Sequence, residues 1–309
     1  MTILVMSGFI FISYFLALPK KIILMAALFI FPLTSFYFEH QKRNNEWQVS
    51  VLDVGQGLSV VIEKNGHAIL YDTGASYPSG FNMVESVISP YFQYRGIETI
   101  DHLILSHADN DHAGGLSFID KQVALNKISV EKIKYNESSK ITEQYSFAEK
   151  SSCKQTDDFT WQGLTFSVLW PVTIQDKEND NSCVIHISDG KYSVLLTGDI
   201  SRKVEKLLTA TPDIAKKLKA DVIIAPHHGS KTSSSLRFIE AVNPAAVIFS
   251  AGFLNRWHMP NKAVLKRYEN FNVTPYSTAD QGMIQIKMDQ QGLEIESYRE
   301  HINPYWFSN

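Results

Sequence analysis

The stretch Ser106-His107-Ala108-Asp109-Asn110-Asp111-His112-Ala113-Gly114-Gly115 sets two imidazoles and two carboxylates within six residues. Groups crowded this closely either face water as a polar turn or share a cation. Without one they repel or demand solvation, and a divalent ion satisfies all of them at once. The apolar run Ile100 to Leu105 in front of them has strand length, so His107, Asp109, Asp111 and His112 are expected on a loop leaving the end of a buried strand. Gly114-Gly115 then lets the backbone turn sharply into a helix. Three further apolar runs end in similar chemistry. Leu195-Leu196-Thr197-Gly198-Asp199 ends in a carboxylate, which reads either as a ligand or as the cap of a helix from Ser201. Ala220 to Ala225 runs into Pro226-His227-His228-Gly229-Ser230, and Ala245 to Ser250 runs into a loop with Arg256 and His258. On its residues alone that last loop reads as an ordinary turn with an aromatic anchor.

The elements that must position these groups read as strands and helices in alternation. Gln48 to Val54, Leu58 to Glu63 and His67 to Tyr71 have strand patterns, the last two joined at Asn65-Gly66, a hairpin signal. Asn82 to Tyr91 reads as a helix, Val130 to Tyr135 as a strand and Thr142 to Lys150 as a helix. Phe159 to Leu169 forms paired strands about Gly163, and Val184 to Ser188 pairs with Tyr192 to Thr197 about Asp189-Gly190. Met283 to Met288 and Leu293 to Tyr298 are expected to close the second sheet. With 309 residues, 44% of them hydrophobic, the chain can build one large core or two small ones. A net charge of −3 does not advertise nucleic acid, so any DNA contact must come from a local basic surface.

Residues 3–18 and 22–38 carry no charge and are interrupted by Pro19-Lys20-Lys21. Each run falls slightly short of the ~20 residues that span a bilayer, and Tyr14, Tyr37 and the flanking lysines extend the reach. Two membrane helices are therefore expected over residues 1–40, a linker over 41–46, a soluble domain over 47–300 and a tail over 301–309. A cleaved signal peptide is the alternative for the first run, which lacks a preceding basic segment and a following small-residue cleavage site. Lys20 and Lys21 put the connection in the cytoplasm and the domain outside, against Lys42 and Arg43.

His107-x-Asp109-x-Asp111-His112 followed by Gly-Gly resembles the metal loop of the metallo-β-lactamase superfamily, whose usual form is His-x-His-x-Asp-His. Asp109 in place of the middle His is typical of one branch, the ComEC DNA-uptake proteins. Leu52-Asp53-Val54-Gly55-Gln56-Gly57, Tyr71-Asp72-Thr73-Gly74, Pro226 to Ser230 and Asn255-Arg256-Trp257-His258-Met259-Pro260 are similar to further segments of that branch, with Leu58 where the family often has Asp. The resemblance covers roughly residues 47 to 300. It implies an α/β protein, the αββα four-layer sandwich, preceded here by the all-α membrane segment, with the ligands on loops at one edge of both sheets.

The resemblance implies one or two divalent ions, Zn or Mn. One position would use Asp111, His112, His227 and a bridging Asp199. The other would use His107, Asp109 and Asp199 but lacks the family's extra His, Asn179 to Ser182 standing there, and His186 reads as a sheet residue. Asp53 and Asp72 are expected to support the loop from behind, Asp72 reading equally well as a turn cap. His228 faces substrate or packs beneath the site, and with Arg256 and His258 it completes the candidate catalytic set. The function implied is a membrane-anchored, metal-dependent hydrolase of DNA phosphodiesters, acting in DNA uptake during natural transformation. The alternatives are a non-catalytic DNA-guiding scaffold of the same fold and a small-molecule metallo-hydrolase. Expected partners are single- or double-stranded DNA bound without sequence preference, the membrane, and a DNA-channel subunit or the N-terminal part of a ComEC-like protein, since the chain looks like the C-terminal portion of one. The expected location is the inner membrane with the domain on the external side. Cys153 and Cys183 are then a disulfide pair, and in a cytoplasmic domain two buried free thiols.

Overall fold

The computed structural model describes residues 46–119, 121–130, 149–151, 153–154 and 157–302. The two expected membrane helices and the linker up to residue 45 lie outside these, as does the tail from residue 303. No helix among the described residues is long and apolar enough to cross a membrane.

The first half of the chain supplies strands β1 (Trp47–Val51), β2 (Val60–Lys64) and β3 (His67–Tyr71), then helix α1 (Ser89–Arg95). Strand β4 (His102–Leu105) leads to the short helix α2 (Asn110–Ala113), followed by β5 (Lys127–Val130) and β6 (Glu149–Ser151). Next come β7 (Phe159–Trp161), β8 (Leu164–Trp170), β9 (Val184–Ser188) and β10 (Ser193–Leu196). Helix α3 (Arg202–Ala210), β11 (Val222–Ile224), α4 (Leu236–Val242), β12 (Ala246–Phe249) and α5 (Lys262–Glu269) alternate after that. Strands β13 (Thr274–Ser277), β14 (Ile284–Met288) and β15 (Leu293–Ser297) follow.

Among the described residues an eight-stranded sheet has the order β15-β14-β1-β2-β3-β4-β5-β6 and a seven-stranded sheet the order β13-β12-β11-β10-β9-β8-β7, while Thr99–Ile100 and Ala124–Leu125 pair as a small third sheet. Strands β14 and β15 thus extend the first sheet, not the second as expected, because β14 pairs antiparallel with β1, Val49 opposite Ile286. Glu149 and Lys150, expected in a helix, lie in β6 beside β5.

Three apolar clusters correspond to the three interfaces of an αββα stack. Trp47, Val49, Val51, Ile62 and Ile69 of the first sheet meet Phe166, Ile185, Val194, Ile224 and Ile248 of the second. Val61, Leu70, Leu103 and Leu105 point the other way, against Val84, Ile88 and Phe92. Leu195, Ile223 and Val247 meet Val204, Leu208, Phe238 and Val264 of the outer helices. Both faces of the central strands are covered, which is why β11 and β12 read as unbroken apolar runs. Across the middle of the stack Tyr71 Oη donates to the Cys183 carbonyl at 2.6 Å, and Cys183 is disulfide-bonded to Cys153.

Candidate metal centre

Strand β4 delivers the metal loop, and Asp72, at the end of neighbouring β3, holds that loop in place. Its Oδ1 accepts from Ser106 N and its Oδ2 from Ser106 Oγ, each at 2.7 Å, and Oδ2 lies 2.7 Å from His112 Nδ1. Asp72 is fully buried with φ of 62°, a left-handed backbone stable only where its surroundings enforce it. Asp72 thus bonds the loop that carries His107 and His112. Asp53 does not: its carboxylate accepts from Gly55 N and pairs with Arg299 at 3.2 Å, away from the loop. Gly114-Gly115 also differs in its reason. Gly114 has an ordinary helical φ of −60°, and what a side chain on Gly115 would meet is the Thr73 carbonyl at 2.6 Å and Val84 at 2.5 Å. Close approach of the loop to β3, rather than a sharp turn, requires the pair.

The second sheet contributes from two strand ends. Asp199 follows β10, its N–H donating to Ser182 Oγ at 2.8 Å; a Cβ on Gly198 would stand 2.7 Å from Ser182 Cβ, just before β9 of the same sheet, and 3.1 Å from Ser106 Cβ in the loop of the other, so glycine is needed where the two meet. The helix from Arg202 is capped by Ser201 instead, which leaves Asp199 free to face the loop. After β11, His227 and His228 are both left-handed, with φ of 51° and 53°. This double twist, costly by about 1–3 kcal/mol per residue, sends the two side chains apart. His228 is buried and donates from Nδ1 to the Ser250 carbonyl at 2.8 Å, while His227 keeps 28% of its side-chain exposure on the rim.

Among the described residues, one ligand atom each of Asp111, His112, Asp199 and His228 lies within 4.8 Å of the others. His228 thus stands where the sequence put His227. His112 Nε2 is 3.2 Å from His228 Nε2 and 3.1 Å from Asp199 Oδ1, and His228 Nε2 is 3.4 Å from Asp111 Oδ2. With both Nδ1 atoms engaged as donors, to Asp72 and to Ser250, both Nε2 atoms face each other across a gap that either a proton on one of them or a shared cation would satisfy. The neighbouring carboxylates favour positive charge at this point, whether carried by a proton or by a metal ion. Burial pulls the His112 imidazole down, yet the Asp199 and Asp72 carboxylates outweigh it and raise it well above its ordinary range. Burial likewise pushes Asp199 up, and His228 and His112 more than reverse it.

His107 is buried, with Nδ1 3.0 Å from Ser106 Oγ and an Nε2 that has no hydrogen-bond partner. That Nε2 lies 3.6 Å from Asp109 Oδ2. Asp199 Oδ1 is likewise a buried atom without a hydrogen-bond partner, whereas Oδ2 accepts from Asn179 Nδ2 at 3.3 Å and stands 3.7 Å from His227 Nε2. Orphaned nitrogen and oxygen atoms, with no thiolate near, fit a divalent ion of borderline or hard character. His186 is out of reach, bonded to the Lys219 carbonyl. Arg256 and His258 make no contact with the cluster; they sit exposed on the loop after Ser250. Ser106, Ser182, Ser250 and Asn179 were not anticipated, and their only sequence signal is that each stands beside a ligand or in the gap left by the missing His.

Residues 52–252 match the metallo-beta-lactamase superfamily. The chain is 41% identical over 261 residues to Recombination protein 2 of Haemophilus influenzae, covering 84% of this chain and 31% of that protein. It is 30% identical over 263 residues to Competence protein ComA of Neisseria gonorrhoeae, covering 85% and 35% respectively. The chain therefore spans about a third of the length of the curated relatives it matches. The fold is similar to that of YhfI, a metallo-beta-lactamase fold protein from Bacillus subtilis, with TM-score 0.53 and 16% identity over 75% of this chain and 96% of that one.

Proposed function

The chain belongs to the metallo-beta-lactamase superfamily, and from that premise we propose that it is a metal-dependent hydrolase of DNA phosphodiester bonds working in DNA uptake. The observation that carries the hydrolase reading is the pair of Nε2 atoms, 3.2 Å apart, facing two carboxylates with their Nδ1 atoms already bonded. The words recombination and competence in the relatives' names support the choice of DNA. Asp111, His112, Asp199 and His228 would hold one ion, and His107, Asp109 and the other side of Asp199, with His227 on the rim, would hold a second of Zn or Mn. A divalent ion so held supplies Lewis acidity and lowers the pKa of water.

The protein groups do the rest. Asp72 and the Ser250 carbonyl hold Nδ1 of His112 and His228 as the protonated nitrogen, so Nε2 is the atom each would offer an ion. Arg256 offers a planar fork of N–H donors to a phosphate, and His258 can protonate a leaving oxygen. Phosphate contacts without base readout make binding independent of sequence and steeply salt-sensitive. Residues 1–40 would anchor the domain in the inner membrane, on its external face, beside a channel subunit or the N-terminal part of a ComEC-like protein.

A second reading, a scaffold that guides DNA without cutting it, is favoured by Asn179 standing against Asp199 in place of a histidine. The full chain loaded with Mn²⁺ or Zn²⁺ and given single-stranded and duplex oligonucleotides decides between them. Cleavage that disappears in Asp199→Ala establishes the hydrolase, binding without cleavage establishes the scaffold, and neither removes DNA from the account.

A further inference from the structure

The loop between β12 and α5 shows the solvent Phe253 at 69% exposure, Leu254 at 86% and Trp257 at 49%, with Arg256 between them. Folding does not account for this. Leu254 holds a left-handed φ of 50° and His258 one of 53°, conformations that cost bulky residues energy while burying nothing. Yet the loop is rigidly built. Asn255 Nδ2 donates to the carbonyls of Gly252 and Met259 at 2.9 and 2.6 Å, and Asn255 Oδ1 accepts from Met259 N at 2.9 Å. Both ends are tied beside the metal centre. The loop leaves from Ser250, whose carbonyl holds His228, and returns at Asn261, whose N–H donates to the carbonyl of Gly229 at 2.9 Å. The Arg256 guanidinium lies over the Trp257 ring, 4.3 Å from its centroid.

Resting on the DNA reading above, we propose that Phe253, Leu254 and Trp257 form a stacking platform for unpaired bases, which makes the substrate of this centre a single strand. A guanidinium on one face of the indole leaves the other face for a base, and its in-plane N–H edges remain directed outward to a phosphate. Phe253 and Leu254 carry no donor or acceptor with which to read a groove edge, so they suit the π-faces that a duplex hides within its own stack and a single strand presents. A braced loop loses little freedom on binding, which is what a platform needs. The strained Leu254 is then maintained by its use rather than by the fold.

The full chain in detergent, without added metal so that no probe is consumed, is titrated with fluorescein-labelled oligothymidine and with a duplex of equal length. Oligothymidine should bind more tightly than duplex and quench indole fluorescence. In the Phe253→Ala/Trp257→Ala variant its affinity should fall by about tenfold or more, the loss expected for removing base stacking. Trp257→Phe should retain most of the affinity, and Tyr94→Ala, which removes an aromatic that is 74% exposed on α1, should change nothing. Equal binding of both probes, unaltered in the double variant, would overturn the platform and leave the DNA reading standing. No binding of either probe would overturn both. Quenching by phosphatidylglycerol vesicles with no response to oligothymidine would make the loop a membrane contact instead.

Discussion

The two halves of the metal centre are built to different standards. On one side His112 and His228 are buried and each is fixed through Nδ1, to Asp72 and to the Ser250 carbonyl. On the other, His107 alone is buried, Asp109 keeps 46% of its side-chain exposure, and His227 looks outward. Bracing decides how much of a ligand's affinity reaches the ion, because an unbraced side chain must lose rotamer freedom on binding. The braced side is thus expected to hold an ion on its own, and the open side to fill weakly and exchange. Asp199, with one oxygen toward each side, couples them.

The largest effect should come from removing that coupling. Asp199→Ala should empty both sides, and plasma emission analysis of the purified variant is expected to find no stoichiometric metal; retained metal would sink the shared-carboxylate account. Next, His228→Ala should cost about 100-fold or more in metal affinity, because a ligand is lost and the Ser250 carbonyl loses its donor, while His227→Ala should change the tight site little. Competition against a chromogenic chelator measures both, and the reverse order would restore His227 as the ligand.

That contrast also marks where the sequence could be read. The spacing of His107, Asp109, Asp111 and His112 after an apolar strand announced its chemistry, since few other uses bring four such groups together. Choosing between His227 and His228 was not possible from the same letters, because the direction of each ring depends on two successive left-handed residues that neither side chain encodes. Strands β14 and β15 were recognised by their alternation, but their sheet was not, as pairing with β1 spans the length of the domain. Asp53 and Asp72 both precede turn residues, and only burial separates the brace from the surface ion pair.

A smaller change should follow from loosening one brace while keeping the ligand. Asp72→Asn keeps the size but weakens the hold on Ser106 and His112, so affinity on the braced side should drop by ~10- to 100-fold with the fold intact. An unaltered chelator titration would show that Asp72 merely ends β3.

The smallest effect separates acid lability of the sheet from that of the centre. His102 is buried beside Ser129 and the Phe159 ring, and burial, helped by Lys127, lowers its pKa from 6.5 to about 3. The unfolded chain therefore takes up this proton as pH falls below 6.5 while the folded chain does not until about pH 3, so stability drops across that window and is unaffected above it. Between about pH 7.5 and about pH 5.5 the loss from His102 is roughly 1.4 kcal/mol. Denaturant midpoints of His102→Gln without metal should be correspondingly less acid-sensitive, and an identical acid slope would assign the lability elsewhere.

The candidate ligands come from both sheets, Asp111 and His112 from the segment after β4 and Asp199 and His228 from the ends of β10 and β11. An ion held there is a second staple across the seam of the sandwich, added to the Cys153–Cys183 disulfide and to polar contacts such as Tyr71 Oη to the Cys183 carbonyl. Thermal stability then becomes a reporter of metal supply: each hundredfold excess of free ion over its dissociation constant adds about 2.7 kcal/mol against separation of the layers. Metal starvation would act first on cohesion of the domain, ahead of any effect on turnover.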